Sequence, residues 1–293
     1  MILNFYNMRI QYITSALIIC SAMVFTSCEQ KSKGEETSTE ENKADSLTTT
    51  DSSSDLISMK KKQEINANLK SYSIKQSLRW EKQKENAAPD GGQGSEFLKV
   101  EAYLNDDESP VKIVEHFSMG NFKPQGERTY YLEDDKLIAY TVSKTSWIDS
   151  NRNELIELQS FYKDGEPFLT RKRSTGPEVT SKIEDQEWEE MEAKHHSLDQ
   201  VTDILEGENE FDTHFISVIA ANEQLFLLLG EDKPKDKERY TTAVLVPKKI
   251  PIIEDLLEHL EEYKFRPLDI KVKVVGGKNK PIFRVLTEME WED

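Results

Sequence analysis

The sequence predicts a protein of the α+β class that is mostly antiparallel β. Three observations predict this class: hairpin patterns in series over residues 97–173, an amphipathic helix pattern around residue 190, and strand patterns on both sides of a helix pattern after residue 211. Apolar residues at every second position are typical of half-buried strands, and apolar residues three or four apart are typical of helices. We therefore expect a hairpin-repeat meander, then a helix, then a second β unit.

The meander is predicted by a unit that occurs three times. Each copy has an apolar pair, an acidic turn and a returning strand, and the turns fall at Asp106-Asp107, Asp134-Asp135 and Asp164-Gly165. Asp and Gly suit hairpin turns because they tolerate the backbone conformations that such turns require. Three hairpins in series predict an antiparallel meander within a hairpin-repeat domain over residues 56–175.

The start of this domain is predicted at Leu56. Ile65, Leu69 and Tyr72 have helical spacing, and alternating apolar residues then continue to Trp80, so a short helix should run into a half-buried strand. Residues 86–94 (NAAPDGGQG) are expected to form a flexible loop. Their glycines lack the GK[ST] ending of a phosphate-binding loop.

A linking helix is predicted over residues 184–206. Its apolar face would contain Trp188, Met191, Leu198, Val201 and Leu205. His195 and His196 would lie on this helix about 100° apart, too far around it to bind one metal ion together. They are predicted to be surface histidines.

Residues 211–293 are predicted to form the second β unit. Strand patterns at 214–221, 224–230 and 240–247 precede a helix opened by Pro251, and a hairpin pattern follows from residue 268. The order β-β-β-α-β-β is that of the OB-fold barrel, so an OB-like β-barrel is the predicted architecture. The alternative is a generic α+β sheet with one helix packed across it.

Binding residues on such a barrel would lie on the strand-connecting loops and on the outer face of the second and third strands. Here these positions are Asn222, Phe226, Tyr240, Thr242 and Lys278. An aromatic ring beside hydroxyl groups can stack on a sugar or a peptide side chain. The alternative interpretation is that Phe226 and Tyr240 fill the barrel, since most aromatic residues at strand spacing are core residues.

The N-terminus has the pattern of an export signal. Ile10 to Phe25 is nearly all apolar, yet it is shorter than the roughly 20 residues of a membrane-spanning helix. Thr26-Ser27-Cys28 follows, and this stretch resembles the lipobox of bacterial lipoproteins. The resemblance implies a signal peptide over residues 1–27, a lipidated Cys28 and attachment to the cell envelope at the outer membrane, on its periplasmic face or on the cell surface. The alternative is an uncleaved N-terminal anchor.

The hairpin unit has a resemblance of its own. Over about residues 96–173 it is similar to hairpin repeats, roughly of the form Y–DGKL, in uncharacterised bacterial lipoproteins. This resemblance implies no chemistry. It agrees with the lipobox in pointing to a lipid-anchored envelope protein.

Residues 28–55 are predicted to be the lipidated N-terminus and a disordered polar tether. Between Glu29 and Asp55 the apolar residues are Ala44 and Leu47, too few to offset the entropy of ordering. Cys20 and Cys28 are the two cysteines of the chain. Loss of the signal peptide would leave Cys28 alone, so we expect neither a disulfide nor a catalytic thiol.

The net charge and the absence of known motifs narrow the range of functions that the sequence favours. The net charge of −17 would repel nucleic acid phosphates, so no nucleic-acid partner is expected. The alternating carboxylates of residues 206–212 lack the spacing of a calcium loop, and we predict no metal and no cofactor. The sequence contains no G-x-S-x-G, H-E-x-x-H, Walker or dinucleotide motif.

These observations favour a non-catalytic binding or structural module. Its membrane contact would come from acyl chains on Cys28, and its partner would be an envelope protein or a glycan. Two alternatives stay open: an inhibitor or accessory subunit of an envelope or secreted enzyme, and a carbohydrate-processing enzyme that uses a carboxylate pair.

Overall fold

The structure is a computed structural model that describes residues 52–84, 96–176, 182–221, 223–231, 238–247, 252–276 and 283–291. In these ranges the helices are α1 (Ser52–Ala67), α2 (Asp199–Glu206), α3 (Ile252–Glu258) and α4 (Leu260–Tyr263). The strands are β1 (Ser73–Gln76), β2 (Trp80–Lys84), β3 (Glu96–Leu104), β4 (Pro110–Met119), β5 (Gln125–Glu133), β6 (Lys136–Trp147), β7 (Asn153–Lys163), β8 (Glu166–Ser174), β9 (Glu189–Met191), β10 (His214–Ala221), β11 (Gln224–Gly230), β12 (Glu238–Val246), β13 (Leu268–Val275) and β14 (Phe283–Trp291).

The strands of the described ranges join into one open sheet. Its main path runs β10, β11, β12, β2, β3, β4, β5, β6, β7, β8, β9, while β1 pairs with β3 and β13 with β14. The neighbours along this path are antiparallel, and β12 adds one parallel residue pair with β14. A mainly antiparallel sheet with a few helices confirms the predicted fold class.

The three predicted hairpins are β3–β4, β5–β6 and β7–β8. Asp134 and Asp135 have φ angles of 49° and 59°, and Asp164 and Gly165 have φ angles of 55° and 88°. Two successive residues with positive φ make the tight turn that matches strand twist, and Asp and Gly tolerate it best. The first hairpin has a longer loop, which the Asn105 side chain stabilises by accepting the N–H groups of residues 107 and 109.

Helix α1 begins inside the stretch that was predicted to be a tether. Ser52 to Asp55 are helical, so the prediction of disorder is wrong for these four residues, and residues 28–51 lie outside the described part of the chain. The helix packs on the sheet through Ile65, and Ser58 donates a hydrogen bond to the carbonyl oxygen of Tyr162 at 3.0 Å. The strand that follows, β1, is exposed along its whole length and not half-buried as predicted. The predicted loop 86–94 lies outside the described residues.

The predicted linking helix over 184–206 is mostly wrong. The helix α2 covers Asp199–Glu206, while residues 189–191 form the short edge strand β9. Trp188 does not face a helix neighbour: its ring lies 4.6 Å from the guanidinium groups of both Arg171 and Arg173 on β8. Met191 is 49% exposed. Helical spacing of apolar residues therefore also occurs in residues 188–191, which the edge of the sheet holds in an extended conformation.

The C-terminal unit has the predicted element order but is not a closed barrel. Strands β10, β11 and β12 form a meander, and β13 and β14 form a hairpin. In the described residues β10 and β13 meet near one end, at the bridge between His214 and Pro267. The prediction of an OB-like β-barrel is wrong in this respect.

Strand β12 explains why the barrel stays open. Its residues 238–241 pair with residues 81–84 of β2, and its parallel contact with β14 is the single pair Leu245–Val285. One edge of β12 is thus divided between two partners. An edge already paired with β2 has no free backbone groups with which to complete a barrel.

Three apolar clusters hold the layers together. The largest lies between one face of the meander and α2, and it contains Trp80, Tyr130 and Phe211. A second, mainly aliphatic cluster fills the C-terminal unit around Leu227, Val244 and Leu256. The third, smaller cluster lies under α1 on the opposite face of the meander.

Candidate functional site

A cavity of about 280 Å³ lies where the meander meets the C-terminal unit. We call it the junction cavity. Its apolar wall includes Leu78 and Trp80 beside β3, Ile204 of α2, and Ile270 of β13. The site is therefore built from segments that lie almost 200 residues apart in the sequence.

Trp80 forms the deepest part of the apolar wall. The residue is 1% exposed, and its ring meets the ring of Phe211 edge to face with centroids 5.7 Å apart. The indole Nε1 is buried and has no hydrogen-bond partner among the residues that the structure describes. A buried donor without an acceptor costs about 1–3 kcal/mol. Because this nitrogen has almost no exposed area, a ligand could reach it only after the wall of the cavity moved.

Helix α2 positions its part of the wall through a defined C-terminus. Gly207 has a φ of 72°, the left-handed conformation that glycine adopts without steric strain, and its N–H donates to the carbonyl oxygen of Asp203 at 2.8 Å. The chain then turns back toward the sheet and inserts Phe211 beneath Trp80. A cap with a side chain here would move Ile204 out of register with the cavity.

The rim of the junction cavity is acidic. Glu206, Asp212 and Asp269 contribute carboxylates to its lining. Glu206 forms an ion pair with Lys75 at 2.8 Å, and an Asp212 oxygen lies 3.3 Å from Nδ1 of His214. Surface ion pairs of this kind are weak and exchange readily with a ligand group. The rim therefore favours a hydrogen-bond donor or a cation over an anion.

The predicted binding residues do not form one surface. Phe226 is partly exposed, but Tyr240 and Thr242 have the same strand parity as Val244, whose side chain is fully buried in the C-terminal core. The prediction that all three lie on the outer face is wrong for Tyr240 and Thr242. Asn222 and Lys278 lie outside the described residues.

Tyr240 instead connects the two halves of the molecule. Its ring packs on Phe211 with centroids 4.7 Å apart, and Lys82 lies 5.6 Å from the ring centroid. Burial raises the pKa of the Tyr240 hydroxyl. Thr242 is 2% exposed, so its hydroxyl cannot reach a ligand on the surface. The alternative interpretation of Tyr240, as a core residue, matches this position.

The prediction that His196 is a surface histidine on a helix is wrong. It lies in an extended segment rather than on a helix, is half-buried, and stacks on Tyr140 with ring centroids 3.7 Å apart. Its Nε2 lies 3.2 Å from the Ser160 hydroxyl, which also lies 3.0 Å from the Thr170 hydroxyl. Burial, with help from Lys194 and Arg128, lowers the pKa of His196 to about 4.

A serine beside a neutral histidine has the chemistry of a nucleophile and its base. The accessibility of Ser160 decides against that role in this conformation, because its side chain is fully buried. The backbone around His196 is fixed as well: its N–H donates to the hydroxyl oxygen of Tyr162 at 3.1 Å. The arrangement therefore holds an extended segment against the sheet.

A buried ion pair lies beside this network. The side chain of Glu115 has no exposed area, and its oxygens accept hydrogen bonds from Nη1 of Arg128 at 2.5 Å and from the Tyr130 hydroxyl at 3.2 Å. Burial and the Glu115 charge raise the pKa of Tyr130 far above its usual range. The ion pair between Glu115 and Arg128 and the hydrogen bond from Tyr130 to Glu115 stabilise the fold, since α2 and its flanking segment cover them.

Only some of these groups had a signal in the sequence. The alternation from Tyr72 to Trp80 marked Trp80 as half-buried, whereas Phe211 had no pattern that linked it to Trp80. No three His, Cys, Asp or Glu side chains converge on one point in the described ranges. Within the same ranges, no helix has the length and hydrophobicity needed to cross a membrane.

Comparison with protein-family models, with curated proteins and with solved structures finds no match to this chain.

Proposed function

We propose that the chain is a lipid-anchored, non-catalytic binding module of the cell envelope, and that the junction cavity holds its ligand. The observation that supports this proposal is a concave site whose lining combines apolar side chains, among them Leu78 and Ile270, with three carboxylates. Ligand sites are typically concave, with a few polar groups that fix orientation. The junction cavity is concave, and its accessible lining is mostly polar.

The ligand would have two chemical parts. An apolar body would contact Leu78 and Ile270, and a donor or cationic group would meet the carboxylates of the rim. A volume of about 280 Å³ suits a small molecule or one side chain of a protein partner. The position of the cavity, between the meander and the C-terminal unit, would let a ligand stabilise their mutual contact.

Filling the cavity mouth tests this assignment. Gln76 lies on β1 and lines the cavity, and its side chain is exposed, so Gln76→Trp should block entry while the fold persists. Ser73→Trp is the matched control, because it lies on the same exposed strand and does not line the cavity. Chemical crosslinking and pull-down from detergent-solubilised membranes should recover a defined ligand or partner with wild type and Ser73→Trp. Equal recovery with Gln76→Trp would refute the cavity as the site.

The anchor is tested separately. The proposal rests on Thr26-Ser27-Cys28 after the apolar stretch, and two or more acyl chains at Cys28 would give stable membrane attachment. Cys28→Ser should leave the protein unprocessed and without lipid. Mass spectrometry of the mature N-terminus measures this, and an unmodified Cys28 or cleavage at another residue would refute the lipoprotein assignment.

A further inference from the structure

A row of alternating cations and aromatic rings crosses the meander on the face that α1 covers. Each cation lies between 4.6 and 6.0 Å from the centroids of the rings next to it. We call it the cationic row, and its members in spatial order are Tyr103, Lys112, Tyr131, Lys62, Phe161, Arg171, Trp188 and Arg173. This face is opposite to the one that α2 covers, so the row is separate from the junction cavity.

The rings form the floor of the row and the cations lie above them. Tyr131 is 4% exposed and Phe161 is 1% exposed. Lys62, which reaches over from α1, lies within 6.0 Å of both ring centroids. Lys62 and Arg171 are partly exposed, whereas Lys112 is 9% exposed and lies inside the row. A ligand on this face would therefore contact Lys62 and Arg171.

Three of these cations have no carboxylate partner among the described residues. Lys62 makes ring contacts, while Arg171 directs Nε and Nη2 to the side-chain oxygen of Gln159 at 3.2 and 2.8 Å. Lys112 donates to the side-chain oxygen of Asn66 at 3.0 Å. The fourth cation, Arg173, is paired with Glu157 at 2.7 Å. The row thus contains charge that the fold itself does not neutralise.

The positive charges in the row repel one another. Burial and the Arg171 charge lower the pKa of Lys62 to about 8, so the group is still mostly protonated at neutral pH. Burial also lowers the pKa of Lys112 and of Arg171. A partly buried cation without a partner is costly, and such groups concentrate at functional sites.

The carboxylates that face the row are few. Glu157 acts on Lys62, Glu127 on Lys112, and Glu190 on Arg171. Glu157 is engaged by Arg173, and a Glu127 oxygen accepts from the Thr129 hydroxyl at 3.1 Å. The chain as a whole has a net charge of −17, so a row of cations differs in sign from the overall charge of the protein.

We propose that the cationic row binds an acidic polysaccharide, whose carboxylate or sulfate groups contact Lys62 and Arg171, while the buried Lys112 adds to the positive potential beneath them. This site goes beyond the proposed function of the junction cavity and does not depend on it. The row runs across the strands, not along an open edge, so it does not offer the backbone pairing that an extended peptide uses. Nucleic acid is disfavoured because its bases need free aromatic faces, and here cations cover the rings.

Binding of defined polymers to the purified soluble chain tests the proposal. The probes are polygalacturonate and heparin as acidic polysaccharides, with dextran, poly-glutamate and single-stranded DNA for comparison. Wild type should bind an acidic polysaccharide and not dextran, and the affinity should fall as salt rises, because the contacts are ionic. Lys62→Met and Arg171→Gln should each weaken binding about tenfold, the change expected when one charged contact of about 1.4 kcal/mol is lost.

Each variant has a matched control. Lys61→Met removes a neighbouring charge on α1 that pairs with Glu133, and Lys172→Gln removes a charge from β8 on the opposite face. Both controls should bind as wild type does. Thermal melting identifies any variant that unfolds, and Arg171→Gln carries the test if Lys62→Met does so.

Three results would overturn the proposal. One is no binding of either acidic polysaccharide. Another is equal loss of affinity in the controls, which would mean that overall charge and not the row is responsible. The third is binding of poly-glutamate or single-stranded DNA as tight as that of the polysaccharides, which would assign the row to another class of polymer.

Discussion

The meander and the C-terminal unit are both antiparallel sheets, yet they differ in what they bury. The meander encloses the carboxylate of Glu115 and the hydroxyls of Ser160 and Thr170. The C-terminal core is mainly aliphatic, with Leu227 and Leu229 fully buried, although Phe215 and Thr242 are buried there as well. Polar contacts have one good geometry whereas apolar contacts tolerate exchange, so the meander should be sensitive to lost partners and the C-terminal unit to lost volume.

The largest effect should come from breaking the buried ion pair of the meander. Arg128→Met keeps a chain over the ring of Phe117 but leaves the Glu115 charge uncompensated, which should lower the free energy of unfolding by about 4 kcal/mol. Urea denaturation followed by circular dichroism measures it. Adding Glu115→Gln should restore most of the loss. A single variant as stable as wild type would show that water reaches Glu115.

The control for this change is Arg152→Met. Arg152 pairs with Asp149 in an exposed turn between β6 and β7, where solvent screens the charges. The denaturation midpoint should be unchanged. A loss comparable to that of Arg128→Met would remove the distinction between buried and exposed pairs.

The C-terminal unit should respond to volume. Leu227 is fully buried opposite Val244 on the neighbouring strand, so Leu227→Ala should cost about 3 kcal/mol through the cavity it leaves. Val274→Ala, at a position that is 52% exposed, is the control and should have little effect. Denaturation of Leu227→Ala also reports coupling: if β2 joins the two units into one cooperative sheet, both should unfold in one transition. Two separate transitions would make the comparison one between independent domains.

Substitutions of Tyr240 test the contact between the meander and the C-terminal unit. Its half-buried ring on Phe211 should make Tyr240→Ala less stable by about 2 kcal/mol, less than a fully buried aromatic, while Tyr240→Phe should stay near wild type. Thermal melting measures both. A variant with an unchanged melting temperature and weaker ligand capture would instead identify Tyr240 as a binding residue.

The smallest effect should be a pH dependence that is specific to the meander. The pKa of His196 is about 4 in the folded protein and near 6.5 when unfolded, so the unfolded chain binds the proton first as pH falls. Stability should decrease by about 1 kcal/mol between pH 6.5 and 4, allowing for solvent screening. His196→Gln should flatten this part of the stability curve, and the exposed His195→Gln should not. An unchanged slope in His196→Gln would assign the acid sensitivity to other groups.

The fold could be predicted from sequence where the signal was local. Asp134-Asp135 and Asp164-Gly165 fix two hairpins because their turns need positive φ within two residues. The division of the β12 edge between β2 and β14 could not be predicted, since it depends on pairing between residues 81–84 and 238–241. Closure of a barrel is likewise a competition between distant edges, and element order alone does not decide it.

The helix prediction failed because the spacing of apolar residues was its one local signal. Trp188 and Leu198 have helical spacing, but Trp188 is held by Arg171 and Arg173, which the pattern of its own segment does not include. The junction cavity and the cationic row were missed for the same reason. Trp80 and Ile270, or Lys62 and Arg171, meet only after the sheet has formed.

The divided edge of β12 also sets the order in which the chain can fold. The hydroxyl of Thr241 donates to the carbonyl oxygen of Glu81 across a separation of 160 residues, so β2 can complete its second edge only after most of the chain is present. Contacts of such long range slow folding, because loop closure must come first. Until then β2 presents an open edge, and its charged sequence, Trp80-Glu81-Lys82-Gln83-Lys84, is of the kind that discourages pairing with other molecules. The contact between β2 and β12 therefore forms late, after residues 238–241 are available to pair with residues 81–84.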